Sequence, residues 1–91
     1  MIEVGRCLAA TREALGLTQD QLADALGVSR SAVGNWERGI RLPDIAAMLR
    51  LRQRYGVSLD WIYAGDPSAL PYALAQRLVG RPVLPRARGR E

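Results

Sequence analysis

Hydrophobic and polar positions between residues 18 and 39 follow helical spacing twice, with only a few residues between the two patterns. The first pattern ends at Gly27, a residue that tolerates the positive φ of a helix end. Thr18 and Gln21 stand three residues apart at its start, which is typical of a capping box in which each side chain satisfies the other residue's backbone N–H. The apolar positions of this pattern are Leu22, Ala23 and Leu26.

The second pattern begins at Ser29, a residue type favoured as an N-cap, and ends at Gly39. Its apolar positions are Val33 and Trp36. Two helices joined by a short glycine-containing turn are typical of a helix-turn-helix. We therefore interpret residues 29–38 as a helix that enters a DNA groove.

The residues before this motif predict a first helix over about residues 3–15. Its apolar stripe contains Thr11, whose hydroxyl we expect to donate to a carbonyl one turn back. Cys7 beside the stripe is interpreted as a small buried apolar residue, with a reactive thiol as the alternative. The other stripe positions are Val4, Leu8 and Leu15.

Beyond the motif, Pro43 is placed to begin a fourth helix over about residues 44–55. Its predicted inward stripe also contains Arg52, which would have to reach solvent or a carboxylate. Ser58 is the expected cap of a fifth helix that carries more apolar surface than one packed face needs, so part of it can serve a subunit interface or act as a lid over the core. The inward residues are Ile45, Met48, Leu51 and Tyr55, the outward arginines are Arg50 and Arg54, and the fifth helix contributes Leu59, Trp61, Ile62 and Tyr63.

The domain organisation follows from these patterns. No segment shows sustained alternation with β-branched residues, so the sequence predicts an all-α fold, a compact bundle of about five short helices in residues 1–66. Residues 67–80 are expected to form a short sixth helix that docks on this domain or serves as a dimerisation element. Residues 81–91 are rich in arginine and proline and are expected to form a flexible arm. Its basic residues, which would attract phosphates, are Arg81, Arg86, Arg88 and Arg90.

Charge is distributed unevenly along the chain. Residues 1–66 contain eight arginines and eight acidic residues, whereas residues 67–91 contain five arginines and only one acid, which accounts for the net charge of +4. All thirteen basic residues are arginine, and genomic base composition explains this uniformity better than selection for binding, although the guanidinium fork suits phosphates and guanine. Affinity for DNA is therefore expected to come from a few placed contacts.

Composition argues against other classes of function. The chain has no histidine and one cysteine, so the usual zinc ligands, an internal disulfide and the commonest general base are missing. We find no paired carboxylates, nucleophile–base pair or phosphate-binding loop, and we expect no catalytic residue, metal site, cofactor or enzymatic activity. No apolar run reaches the ~20 residues needed to cross a bilayer, and no secretion signal is evident, so we expect no membrane association and a cytoplasmic location.

The helix over residues 29–38 also predicts its own DNA contacts. Major-groove contacts come from residues near the N-terminus of such a helix, on the face away from the core, and here that face carries Arg30, Ser31, Gly34 and Asn35. Arginine can pair with guanine O6 and N7, and asparagine with adenine N6 and N7. Gln19, at a helix N-terminus, and Arg38 and Arg41, at and after a helix end, are expected to contact phosphates. Gly34 either lets the backbone approach DNA closely or marks a locally weak helix.

The segment TQDQLADALGVSRSAVGNWERGIRLP resembles the helix-turn-helix of the Cro/C1-type (XRE-like) transcriptional regulators, and residues 55–66 resemble the final helix of phage-repressor-like members. The resemblance extends over about residues 3–66 and implies a lambda-repressor-like DNA-binding domain. It places base readers at Arg30, Ser31, Gly34 and Asn35 and a phosphate contact at Gln19. It also implies an ion pair between Arg12 and Glu37. The chain departs from the family pattern at Thr11, Gly34 and Arg52.

Two hypotheses of function follow. The first is a homodimeric repressor that reads a palindromic operator in double-stranded DNA, with the fifth helix and residues 70–79 as the pairing surface. The second is an antitoxin that regulates its own operon and binds a toxin through its C-terminal part, although that part is mostly arginine and proline.

Overall fold

Six helices make up the part of the chain that the computed structural model describes, which is residues 2–78. They are α1 (Ile2–Ala14), α2 (Gln19–Leu26), α3 (Arg30–Glu37), α4 (Ile45–Tyr55), α5 (Leu59–Ala64) and α6 (Tyr72–Leu78). No strand occurs in that range, and the predicted all-α class is confirmed. The predicted arm, residues 81–91, lies outside the described residues.

The helix ends around the predicted turn have the expected caps. The Thr18 hydroxyl accepts from the Gln21 backbone N–H at 3.1 Å, and the Gln21 side-chain oxygen accepts from the Thr18 N–H at 2.9 Å, so the predicted capping box is confirmed. Gly27 ends α2 in the left-handed region at φ 69°, where a Cβ would be strained. The Ser29 hydroxyl accepts from the Ala32 N–H at 3.1 Å and starts α3. The turn between α2 and α3 is therefore fixed from both sides.

The start of α4 differs from the prediction. The helix begins at Ile45 with Asp44 as its N-cap, so the prediction that Pro43 is its first residue is wrong. The Pro43 carbonyl accepts from the Tyr63 hydroxyl at 2.7 Å instead of from a helical N–H. Burial raises the pKa of Tyr63, and the nearby Asp44 carboxylate raises it further, so this hydroxyl stays a donor. The contact ties the α3–α4 loop to α5.

The buried face of α4 is also rotated relative to the prediction. Ile45 is 56% exposed, so its predicted inward position is wrong. At about 100° per residue, Ile45, Leu49 and Arg52 share one helix face, and all three are exposed. Arg52 therefore lies on the surface and needs no partner inside the core. The residues of α4 that do enter the core are Ala47, Met48 and Leu51.

Trp61 lies in the core, with no exposed surface, and hydrogen bonds hold it to α1. Its indole Nε1 donates to Thr11 Oγ1 at 2.8 Å, and the Thr11 hydroxyl donates to the Cys7 carbonyl at 2.6 Å, one turn back as predicted. Cys7 Sγ donates to the Trp61 carbonyl at 3.2 Å and completes a ring of hydrogen bonds between α1 and α5. Burial raises the pKa of the Cys7 thiol to about 12, against a smaller lowering effect of its hydrogen bond to Thr11. The thiol is therefore protonated and buried rather than reactive.

The apolar side chains of α5 and α6 are largely used within the chain. Trp61 and Ile62 are buried, and Leu74 and Leu78 of α6 are 5% and 0% exposed. Because α6 lies against α1, it docks on the domain, which is one of the two roles expected for residues 67–80. Tyr72, at 79% exposure, is the large hydrophobic residue that α6 leaves outside.

Two arginines satisfy carbonyls at helix C-termini. Arg50 Nη1 donates to the Leu26 carbonyl at 2.7 Å, and Arg77 Nη1 donates to the Ala14 carbonyl at 3.0 Å. Such contacts satisfy a carbonyl that has no helical partner and place positive charge at the negative end of the helix dipole. Arg50 is exposed, as predicted for an outward residue, and its side chain reaches across the surface to α2.

Candidate nucleic-acid interface

The rotation of α3 is set by its two apolar residues and by a close contact with α1. Val33 and Trp36 are 0% and 5% exposed. Gly5 of α1 lies directly against the end of α3, where a Cβ on Gly5 would stand 2.5 Å from the Glu37 carbonyl oxygen and 2.6 Å from that of Trp36. Only glycine lets the two helices come this close, because the atoms that a Cβ would meet belong to the backbone of α3 and cannot rotate away as a side chain could. The opposite face of α3 is consequently turned outward.

The outward face of α3 and the start of α2 enclose one shallow polar concavity of about 340 Å³. The structure thus brings together all four residues predicted to read bases and two of the three predicted to contact phosphates. Arg30 and Ser31 are exposed, Asn35 is half-buried, and Gly34 is buried. The lining residues are Gln19, Arg30, Ser31, Gly34, Asn35 and Arg38.

Arg41, the third residue predicted to contact phosphate, lies apart from this group. It lines a neighbouring concavity of about 410 Å³ on the other side of Asn35, together with Ser29 and Asp44. Arg41 is exposed, and the residues described in the structure place no ion pair on it. Its guanidinium is therefore available to an anion beside the end of α3.

An ion pair behind the concavity holds Gln19. Arg12 and Glu37 make a two-point contact, Nε to Oε2 at 2.7 Å and Nη2 to Oε1 at 3.2 Å, with side chains 14% and 7% exposed. The hydrogen bond to Glu37 raises the pKa of Arg12, which stays charged. Arg12 Nη1 also donates to the Leu17 carbonyl at 2.8 Å, and Gln19 Nε2 donates to Glu37 Oε1 at 2.9 Å. The Gln19 amide keeps a second N–H, which a phosphate can accept.

Arg38 lies on the outward face of α3 rather than beside it. Its Nη2 donates to Asn35 Oδ1 at 2.8 Å, so the guanidinium folds back along α3. A Cβ on Gly34 would stand 3.6 Å from Arg38 Nη1, which places the guanidinium above the glycine. This position explains why Gly34 is buried although it lines the concavity.

Arg30 has one partner, the neighbouring Asp20. The distance from Arg30 Nε to Asp20 Oδ1 is 3.6 Å, and the two side chains are 67% and 75% exposed. An exposed pair of this kind is worth at most about 1 kcal/mol, so it does not fix the guanidinium. Its guanidinium can therefore turn to another acceptor.

Among residues 2–78, no group of three or more histidine, cysteine, aspartate or glutamate side chains is arranged to hold a metal ion. In the same range, every helix is too short or too polar to cross a membrane.

Comparison with known proteins matches the geometry. The helix-turn-helix family model matches residues 8–62, more than half of the chain. The chain is 32% identical over 65 residues to the HTH-type transcriptional regulator ImmR of Bacillus subtilis, which covers 71% of this chain and 51% of that protein. It is equally 32% identical over 65 residues to the HTH-type transcriptional activator BcrR of Enterococcus faecalis, covering 71% of this chain and 32% of that protein. The matched region thus spans about half or less of these two relatives.

A solved structure shows the same architecture. The crystal structure of the restriction-modification controller protein C.AhdI from Aeromonas hydrophila matches with a TM-score of 0.57 at 35% sequence identity, covering 63% of this chain and 86% of that chain. The sequence match, the structural match and the capped α2–α3 unit agree with one another. The chain therefore belongs to the Cro/C1-type helix-turn-helix family of DNA-binding transcriptional regulators.

Proposed function

We propose that this chain is a homodimeric repressor that binds a palindromic operator in double-stranded DNA by placing α3 in the major groove. The observation that carries this proposal is the polar concavity formed by α3 and the start of α2. A B-DNA major groove admits one α-helix, and residues on its outward face reach base edges. In this proposal the protein acts in the cytoplasm and needs no cofactor.

Base reading is assigned to Arg30, Ser31 and Asn35. Arg30 stands in the first turn of α3, where side chains of a recognition helix reach furthest into the groove. A bidentate contact of arginine with guanine O6 and N7 contributes about 1–3 kcal/mol of discrimination. Ser31 discriminates less, because its hydroxyl both donates and accepts.

Phosphate contacts are assigned to the edges of the concavity. Gln19 has one amide hydrogen bonded to Glu37, which aims the other outward beside the positive end of the α2 dipole. Arg41 supplies a charge on the far side of Asn35. Two such contacts on opposite sides of α3 would fix its register in the groove.

A second exposed region is suited to pairing two copies of the chain. A groove of about 390 Å³ between α4 and α5 combines the apolar side chains of Leu49 and Leu59 with the opposite charges of Arg52 and Asp60. None of the ion pairs in residues 2–78 involves either charge. Across a two-fold axis each contact occurs twice, so Arg52 would meet the partner's Asp60 in two equivalent places.

This surface replaces one half of the pairing surface expected from the sequence. α5 keeps its role through Leu59 and Asp60, whereas Leu74 and Leu78 of α6 are already buried within the chain. The exposed face of α4 contributes the other half. That face also carries Ile45, which is 56% exposed.

The DNA-binding half of the proposal is tested by selection from a random DNA pool followed by affinity measurements on the best sequence. We expect a palindrome, and we expect Arg30→Ala and Gln19→Ala each to weaken binding by about tenfold. Arg54 lies on α4, outside both concavities. Arg54→Ala removes the same positive charge as Arg30→Ala and serves as the control. If neither test variant weakens binding more than this control does, α3 is not the reading helix.

The pairing surface is tested by charge exchange, with the association constant measured by sedimentation equilibrium. Arg52→Asp and Asp60→Arg should each weaken self-association about tenfold or more, because each places like charges together twice. The double variant should recover most of the loss. Arg54→Asp, two residues from Arg52, is the control. A double variant no better than the single variants would refute this surface.

The antitoxin hypothesis gains no support from the described residues. A toxin-binding segment should present large apolar side chains, and the two leucines of α6, Leu74 and Leu78, are covered by the chain itself, which leaves Tyr72 and the small Ala73 exposed. The repressor is therefore the single function that we propose.

A further inference from the structure

We infer that Arg38 is a positioning residue that turns Asn35 into a hydrogen-bond donor and so makes it prefer guanine over adenine. The inference deepens the proposed function and rests on it. It starts from the bond of 2.8 Å between Arg38 Nη2 and Asn35 Oδ1. Arginine has no acceptor, so this bond identifies the oxygen of the Asn35 amide and fixes which way the amide faces.

The orientation decides what Asn35 can offer to a base. A free asparagine amide rotates broadly about χ2 and presents oxygen or nitrogen with similar ease. With Oδ1 turned toward the Arg38 guanidinium, Asn35 presents its NH₂ group to the concavity that the two residues line. Guanine offers two acceptors there, O6 and N7, whereas adenine offers only N7 beside an amino donor. The positive charge on Arg38 also disfavours the approach of that amino donor.

Gly34 provides the space for this arrangement. Arg38 follows Gly34 by four residues, and side chains on a helix lean toward its N-terminus, so the Arg38 side chain reaches back over position 34. A Cβ at position 34 would lie 3.6 Å from Arg38 Nη1, an ordinary contact, so alanine fits. The extra methyl groups of valine would need the volume that the guanidinium occupies. The inference thus explains why a small residue stands at position 34 in the middle of α3.

The experiment compares base preferences at one operator position. That position is defined as the one whose preference disappears in Asn35→Ala, and binding is measured to operators carrying guanine or adenine there. The wild-type chain should prefer guanine by about tenfold. Arg38→Met should lose or reverse this preference at that position alone, and Arg38→Lys, which can still donate to Oδ1, should recover part of it. Gly34→Ala should keep the preference, and Gly34→Val should lose it.

Other outcomes separate failure of this inference from failure of the proposed function. An adenine preference in the wild-type chain refutes the inference and leaves the repressor standing. The inference is also refuted, and the repressor still stands, if Arg38→Met weakens binding equally at all positions and lowers the salt slope by about one. Arg38 is then a phosphate contact. A third result that refutes only the inference is an Asn35→Ala variant that binds sequence-specifically and keeps every base preference of the wild-type chain. Absence of any sequence-specific binding by the wild-type chain refutes both.

Discussion

The hydrogen bond between Trp61 and Thr11 is the contact whose loss has the clearest expected cost. Thr11→Val keeps the shape of the side chain and removes the hydroxyl that accepts from Trp61 Nε1 at 2.8 Å. Both residues are 0% exposed, so water cannot replace the lost acceptor. The bond joins α1 to α5. Valine fills nearly the same volume as threonine, so the substitution tests the hydrogen bond rather than the packing.

The magnitude follows from the two bonds that the hydroxyl makes. Leaving a buried donor unsatisfied costs about 1–3 kcal/mol, and the lost bond from Thr11 to the Cys7 carbonyl adds about 0.5–1.5 kcal/mol. We therefore expect the free energy of unfolding to fall by about 1.5–4.5 kcal/mol. A domain of this size has a total stability of roughly 5–14 kcal/mol, so the change is large.

Urea unfolding followed by circular dichroism measures this loss. With a slope of about 1 kcal/mol per molar urea, the midpoint should move down by about 1.5–4.5 M. Thr11→Ser keeps the hydroxyl and should cost only about 1 kcal/mol for its missing methyl group. In a double-mutant cycle with Trp61→Phe, we expect a coupling energy of about 1 kcal/mol or more. Thr11→Val no less stable than Thr11→Ser, or a coupling near zero, would refute the reasoning.

Three further predictions use the same unfolding assay. Glu37→Ala strands a guanidinium that is mostly buried and should cost about 3 kcal/mol, whereas Asp20→Ala, which removes the exposed partner of Arg30 at 3.6 Å, should cost less than about 1 kcal/mol. Gly5→Ala places a Cβ against two carbonyl oxygens of α3 and should lower the free energy of unfolding by about 2 kcal/mol. Gly34→Ala, in contrast, should raise it by up to about 1 kcal/mol. Equal effects of the two substitutions would show that α1 and α3 can move apart at Gly5 without cost. Folding raises the pKa of Cys7 from 9.0 to about 12, so its contribution to stability is present below pH 9 and is lost as the pH rises toward 12. Cys7→Ala should lack this part of the alkaline loss, and a thiol reagent at pH 8 should modify the native protein only as fast as it opens.

The helix ends were predictable from the sequence because their signals are local. Thr18 with Gln21, Ser29, and Gly27 each act within one turn of the backbone, so spacing alone identifies them. The start of α4 carried conflicting local signals, since Pro43 and Asp44 are both residues that begin helices. A long-range contact of the Pro43 carbonyl with α5 decides between them.

The rotation of α4 was not predictable because two of its faces are apolar. Met48 and Leu51 form one, and Ile45 and Leu49 form the other, so periodicity gives no unique inward side. Packing against α2 and α5 selects the first. Arg52, which periodicity placed inside, then falls on the exposed face.

The members of the candidate site were predictable, but most of the bonds among them were not. One helix face and the start of its neighbour bring the six lining residues together, and helical spacing identifies them. The bond from Gln19 to Glu37, behind the site, joins residues 18 positions apart, for which spacing gives no signal. The bond between Asn35 and Arg38 spans three residues on a helix, and the spacing of neighbouring helical side chains would have found it.

The arrangement behind α3 suggests how a domain with balanced charge can bind DNA specifically. Residues 1–66 carry equal numbers of arginines and acidic residues, so general attraction to phosphates is weak and the few contacts have to be well placed. The Glu37 carboxylate accepts hydrogen bonds from Arg12 of α1 and from Gln19 of α2. These bonds orient Gln19, a proposed phosphate contact, from inside the fold. Arg38 in turn orients Asn35 on the surface of α3. Because both side chains are oriented before DNA arrives, less conformational entropy is lost on binding, and weak contacts contribute more of their energy to affinity.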